Sequence, residues 1–124
     1  MCIRDRSVKG KFKSKGKTIR EIKQLISDAL LLQKTGVFAI VLECVKTPIA
    51  KQITKDLKIP TIGIGASNNC DGQILVIDDL IGLNPISVRF VKKYSNIAKE
   101  ISKAVSNYSK EVRTKKFPQK KHSY

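Results

Sequence analysis

VFAIVLECVKTPIA, from Val37 to Ala50, is the stretch whose reading decides the fold. Six apolar residues, Val37 to Leu42, run up to a single carboxylate, Glu43. No polar residue alternates among them, so the pattern predicts a strand buried on both faces, as parallel strands are. Thr47-Pro48 then opens a helix, with proline at its first position, that runs to about Leu57. A buried strand that ends on an acid calls for a reason.

Upstream, Thr18-Ile19-Arg20-Glu21 is a capping box, a threonine N-cap with glutamate three residues on. Ile19, Ile22, Ile26, Ala29 and Leu30 follow at spacings of three and four and mark one helical face. Gly36 is a natural stop, which predicts a helix over Ile19 to Lys34. Downstream, Ile59 to Gly65 reads as a short strand broken by glycines, followed by a polar loop from Ala66 to Gly72. Gln73 to Ile77 is a further short apolar run ending in Asp78-Asp79, and such a run fits a strand or a buried helix. Phe90, Tyr94, Ile97, Ile101, Val105, Tyr108 and Val112 form the amphipathic stripe of a last helix. The tail after Arg113 is polar and basic.

The order helix, strand, helix, strand, loop, strand, helix is α/β grammar with a parallel sheet. So few parallel strands leave bare edges. The pattern therefore implies an incomplete barrel or a very small open sheet, with apolar faces that favour aggregation or oligomerisation when the chain stands alone.

The length of 124 residues suits one domain, and 41% apolar residues can build a core. The net charge of +15 is almost all lysine, densest in KGKFKSKGK at Lys9 to Lys17 and in the pairs Lys115-Lys116 and Lys120-Lys121. No recognition helix or aromatic platform accompanies it, which argues against nucleic acid as the partner. Cys2, Cys44 and Cys70 are an odd count at wide spacing, with no CxxC and one histidine, His122. That pattern argues against a zinc site and a disulfide framework. No apolar run approaches a membrane span, and MCIRDRSVKG lacks the apolar stretch of a signal peptide, so the expected location is the cytoplasm.

In a (β/α)8 barrel, catalytic residues stand at the C-terminal ends of strands. Glu43 would be one, Asp78 and Asp79 would end another strand, and Gly63 and Gly65 would let backbone approach a ligand. A salt-bridged carboxylate at a strand end is the competing reading of Glu43, and position alone weighs the two equally.

LECVKTPIAKQITKDLKIPTIGIGASNNCDGQILVIDDLIGL, from Leu42 to Leu83, resembles the C-terminal part of the ketopantoate (3-methyl-2-oxobutanoate) hydroxymethyltransferase family. GKFKSKGKT before it and EVRTKKFPQKKHSY after it are similar to the family's flanking stretches, so the likeness covers about Gly10 to Tyr124. The resemblance implies α/β architecture, the C-terminal part of a TIM barrel of the phosphoenolpyruvate/pyruvate-binding type, in homo-oligomers that are commonly decamers. It implies hydroxymethyl transfer from 5,10-methylenetetrahydrofolate to 3-methyl-2-oxobutanoate, giving 2-dehydropantoate for pantothenate synthesis. The glutamate of LECV, Glu43 here, would be the proton acceptor. Mg2+ is implied as well, with its ligands in the family's N-terminal half and none assigned in this chain. Substrate contacts from this half other than Glu43 stay unassigned.

Several positions depart from the family pattern. Ser67 replaces a glycine, Lys46 stands where the family has the proline found here at Pro48, and Lys121 replaces an acid before His122. Asp79 fits the pattern and Asp78 does not, and a structural role is favoured for both. His122 has no partner in the sequence to orient it. The expected division is an artefactual or disordered start over 1–9, with MCIRDRS matching nothing in the family, a partial barrel over 10–113 and a basic tail over 114–124. On its own the chain would be inactive. The competing functions are a small basic nucleic-acid-binding module and a non-catalytic subunit that completes a split barrel.

Overall fold

The computed structural model describes residues 2–3, 14–85 and 88–124. It divides into two compact units, Met1–Leu75 and Val76–Tyr124. The first holds a four-stranded parallel sheet in the order β1-β2-β3-β4, with β1 Cys2–Ile3, β2 Ile40–Glu43, β3 Thr61–Ile64 and β4 Gly72–Gln73. The expected α/β grammar and parallel sheet are therefore present. β1 lies where no strand pattern was expected, paired with Val41 and Leu42. Most of the expected N-terminal segment, and Lys9 to Lys13 of the lysine cluster, lie outside the described residues.

Helix α1, Ile19–Lys34, has the predicted bounds because its ends are chemically marked. Thr18 Oγ1 accepts from the Glu21 N–H at 3.2 Å, and the Glu21 carboxylate accepts from the Lys17 N–H at 2.8 Å. Helix α2, Thr47–Asp56, starts at the expected threonine and carries Pro48 in its first turn. Leu25 and Ala29 of α1 and Ala50 and Ile53 of α2 pack with Ile40, Leu42 and Val45 into one core.

The two helices cover one side of the sheet. Ile40 and Leu42 are fully buried, whereas Val41 and Glu43 between them are half-buried, and β3 repeats the pattern. Burial of β2 on both faces is thus met on the helix side only. The strand also starts three residues later than the apolar run, and Phe38 is 88% exposed.

The link from β3 to β4 spans residues 65–71 and needs no helix. Register explains this: Gly72 lies beside Ile62, so the chain retreats by only two residues, about 7 Å.

In the second unit, the run expected to end as a strand at Asp78-Asp79 does not. Its last residues form a short helix α3, Ile77–Leu80, so both aspartates sit in the first turn of a helix. The Leu80 and Ile81 N–H groups bond back to the Val76 and Ile77 carbonyls, the pattern of a helical turn. The last helix, α4, is Ile97–Arg113 and leaves out Phe90 and Tyr94 of the predicted stripe. Asn96 sets that start, its side chain accepting from the Lys99 N–H at 3.2 Å. None of the 17 residues of α4 is buried.

The basic tail is ordered against α4. Phe117 meets Tyr108 edge-on at 5.6 Å between ring centres and lies 5.3 Å from the His122 ring.

Candidate active site

Glu43 is the last residue of β2 and lies in register with Ile64, the last residue of β3. Strand alternation puts Glu43 and Val41 on the same face, with their partners Ile64 and Ile62 beside them. All four are half-buried, so the carboxylate stands at the C-terminal rim of a mostly apolar face that the helices leave open. Such a face offers an apolar substrate a surface and a proton acceptor a place with less water.

The loops beyond the rim are tied down. Thr47 Oγ1 donates to the Ala66 carbonyl at 3.2 Å, joining the start of α2 to the turn after β3. Gly65 makes that turn with φ +61°. Ser67 is buried, accepts from the Asn69 N–H and side-chain amide at 3.1 Å each, and its carbonyl accepts from Gln73 Nε2 at 2.7 Å. The serine that replaces a glycine thus has partners of its own.

Gly63 differs from its expected role. A Cβ there would come within 2.8 Å of Gln73 Oε1 and 3.2 Å of Cys70 Sγ. The space left by its missing side chain is filled by protein.

Asp71 fastens the other end of β3. Its carboxylate accepts from the Thr61 N–H and hydroxyl, and those bonds hold its pKa below the ordinary value of 3.8. Thr61 in turn bonds Thr54 Oγ1 of α2 at 2.8 Å. Sequence reading left Asp71 in a polar loop, because nothing local marks a partner ten residues back. It also missed Cys44, which adopts φ +56° directly after Glu43.

Asp79 has a structural partner within its unit, accepting from Asn84 Nδ2 at 2.8 Å. His122 is exposed, and its Nδ1 accepts from the Gln119 N–H at 3.3 Å. Among the described residues no three His, Cys, Asp or Glu side chains stand together as a metal would need. Nor, among the described residues, is any helix long and apolar enough to cross a membrane.

A parallel α/β unit with an acid at the C-terminal end of a strand has that acid where α/β enzymes carry their catalytic groups. The ketopantoate hydroxymethyltransferase family model matches residues 4–120, and the chain belongs to that family. The match begins upstream of Gly10, where the sequence likeness was expected to start, and takes in part of MCIRDRS. A 3-methyl-2-oxobutanoate hydroxymethyltransferase of Pelagibacter ubique is 61% identical over 113 residues, 91% of this chain and 44% of the relative. Those of Pyrobaculum arsenaticum and Clostridioides difficile are each 50% identical, over 91% and 93% of this chain and 43% and 42% of theirs. The chain thus spans less than half the length of these curated relatives.

Proposed function

We propose that this chain is the proton-accepting part of a 3-methyl-2-oxobutanoate hydroxymethyltransferase, with Glu43 as the base. The observation that carries the reading is the placement of Glu43 at the C-terminal rim of β2, on the half-open face with Val41, Ile62 and Ile64.

The reaction calls for that group. The C3 hydrogen of 3-methyl-2-oxobutanoate lies next to a ketone and is weakly acidic. Glu43 takes this proton, and the C–H electron pair becomes the enolate. Water adds to the methylene carbon of 5,10-methylenetetrahydrofolate and its bonds to the two folate nitrogens break, releasing tetrahydrofolate and formaldehyde. The enolate carbon adds to the formaldehyde carbon, the carbonyl oxygen is protonated to the hydroxyl, and 2-dehydropantoate leaves. A positioned carboxylate is worth about 10²–10⁴-fold in such a step. The half-buried aliphatic side chains of Val41, Ile62 and Ile64 suit the isopropyl end of the keto acid.

In the same reading, residues 10–113 are the C-terminal part of a (β/α)8 barrel and 114–124 its tail. The open sheet face becomes the barrel interior, and the assembly is a cytoplasmic homo-oligomer, a decamer as the resemblance implies. Magnesium is held by residues in the part of the family's length that this chain does not span. Asp78, Asp79 and His122 carry no role in this reading.

The test is Glu43→Gln in a complete enzyme carrying these residues. Turnover should vanish while binding of the keto acid, measured by calorimetry, persists. Near-normal turnover would overturn the assignment.

A further inference from the structure

We infer that Cys44 is a positioning residue for Glu43, acting through its backbone conformation and not through its thiol. The inference rests on the reading of Glu43 as the base.

Burial along β2 alternates up to Glu43 and then slips. Ile40 and Leu42 are buried on the helix side, and Val41 and Glu43 face the open side. A strict two-residue period would put Cys44 in the core and Val45 on the open face. Instead Cys44 is half-buried and Val45 is buried at 2% exposure.

The hydrogen bonds slip at the same place. In an extended residue, N–H and C=O point to the same neighbouring strand. The Cys44 N–H donates to the Ile64 carbonyl of β3 at 3.0 Å, whereas its carbonyl accepts from the Lys15 N–H, on the opposite side, at 2.8 Å. The Lys46 N–H then donates to the Lys15 carbonyl at 3.0 Å, closing a parallel bridge between Lys15 and Val45. The φ of +56° at Cys44 is what turns the peptide across.

A left-handed conformation is uncommon for a residue with a Cβ, and it persists where surrounding contacts over-determine it. Here backbone bonds from both flanks do so. The consequence is chemical. Glu43 is the last residue of β2 on the open side, and the next side chain that regular alternation would send there, Val45, turns into the core. Val45 is thereby kept off the rim, and Glu43 is held at a fixed height beside Ile64.

The test measures kcat and KM for the keto acid in the complete enzyme, for Cys44→Gly, Cys44→Asn, Cys44→Val and Lys15→Pro. Glycine and asparagine accept φ above zero, so both should keep kcat within about threefold. Valine, branched at Cβ, disfavours that conformation, and proline at position 15 removes the N–H that holds the Cys44 carbonyl. Each should lower kcat on the order of tenfold or more with KM little changed, since small misplacements of a reacting group are costly. Should Cys44→Val fail to fold, Lys15→Pro decides the matter together with the glycine and asparagine variants. Equal losses in Cys44→Gly, Cys44→Asn and Cys44→Val would mean that the thiol matters, and would overturn the inference. So would wild-type kcat in both Cys44→Val and Lys15→Pro. Glu43→Gln, run alongside, separates the two claims: full turnover there removes the base, whereas an inert Glu43→Gln with a flat Cys44 series removes only the positioning role.

Discussion

The Asp71 carboxylate holds Thr61 twice, accepting from its backbone N–H at 2.8 Å and from its hydroxyl at 3.0 Å. Thr61 opens β3 and is fully buried, so this clasp ties the loop before β4 to the start of the strand beside the one that carries Glu43. Asp71→Ala removes the partner of a buried N–H, which costs about 1–3 kcal/mol. Urea denaturation at neutral pH checks the figure, and an unchanged midpoint would show that Thr61 finds another acceptor.

The same clasp makes stability depend on pH. The hydrogen bonds from Thr61 lower the folded-state pKa of Asp71 below its ordinary value of 3.8. A lowered folded pKa stabilises the fold fully above the unfolded pKa, and the contribution is lost as pH falls through the folded value. Asp71→Asn should therefore lose less stability than wild type on acidification from about pH 6 to about pH 3. The side chain faces solvent, so the difference should be small and should shrink with salt. Parallel slopes for the two proteins would rule out this linkage.

Two helical isoleucines should respond very differently to truncation. Ile53 of α2 is 1% exposed in the core, while Ile101 of α4 is 51% exposed. Ile53→Ala should cost about 2–5 kcal/mol, and Ile101→Ala should stay within about 0.5 kcal/mol in this chain. Chemical denaturation of both variants decides it, and equal losses would place Ile101 in a buried contact.

Gly82 should tolerate no side chain. Its φ is +74°, and an added Cβ would collide with the Ser95 backbone carbonyl. The left-handed conformation alone costs an L-residue about 1–2 kcal/mol, and the colliding atom belongs to backbone that cannot swing aside. Gly82→Ala should lower stability by more than that, read as loss of helical circular dichroism at a lower temperature. A wild-type melt would mean that the turn from Ile81 to Asn84 can open.

The helix starts give a milder effect. Thr18→Ala removes the side-chain acceptor of the Glu21 N–H at the head of α1, at about 1 kcal/mol. Thr18→Ser should restore most of it, and a serine variant as weak as the alanine one would argue against capping as the cause.

Some of this molecule was legible from local chemistry. The bounds of α1 follow from Thr18, Glu21 and the glycine at Gly36, because caps and breakers act within one turn. The apolar run before Glu43 marks a strand, and the ordered motifs from Leu42 to Leu83 mark the family. The run from Gln73 to Ile77 misled, because a short apolar segment has no periodicity of its own to choose between strand and helix. Only β4's brief pairing with β3 and the backbone bonds of α3 decide where it changes state.

The sequence by itself determined that an acid ends a parallel strand, since residue type and local pattern suffice for that. Only the tertiary structure decided which face of the sheet that acid occupies. Facing depends on the phase of β2 against α1 and α2, and at Cys44 the phase shifts by one residue under backbone bonds from Lys15 and Ile64, far away in the chain. The Asp71–Thr61 clasp has the same origin. Such contacts are set by packing between segments distant in sequence, and no local pattern of side chains encodes them.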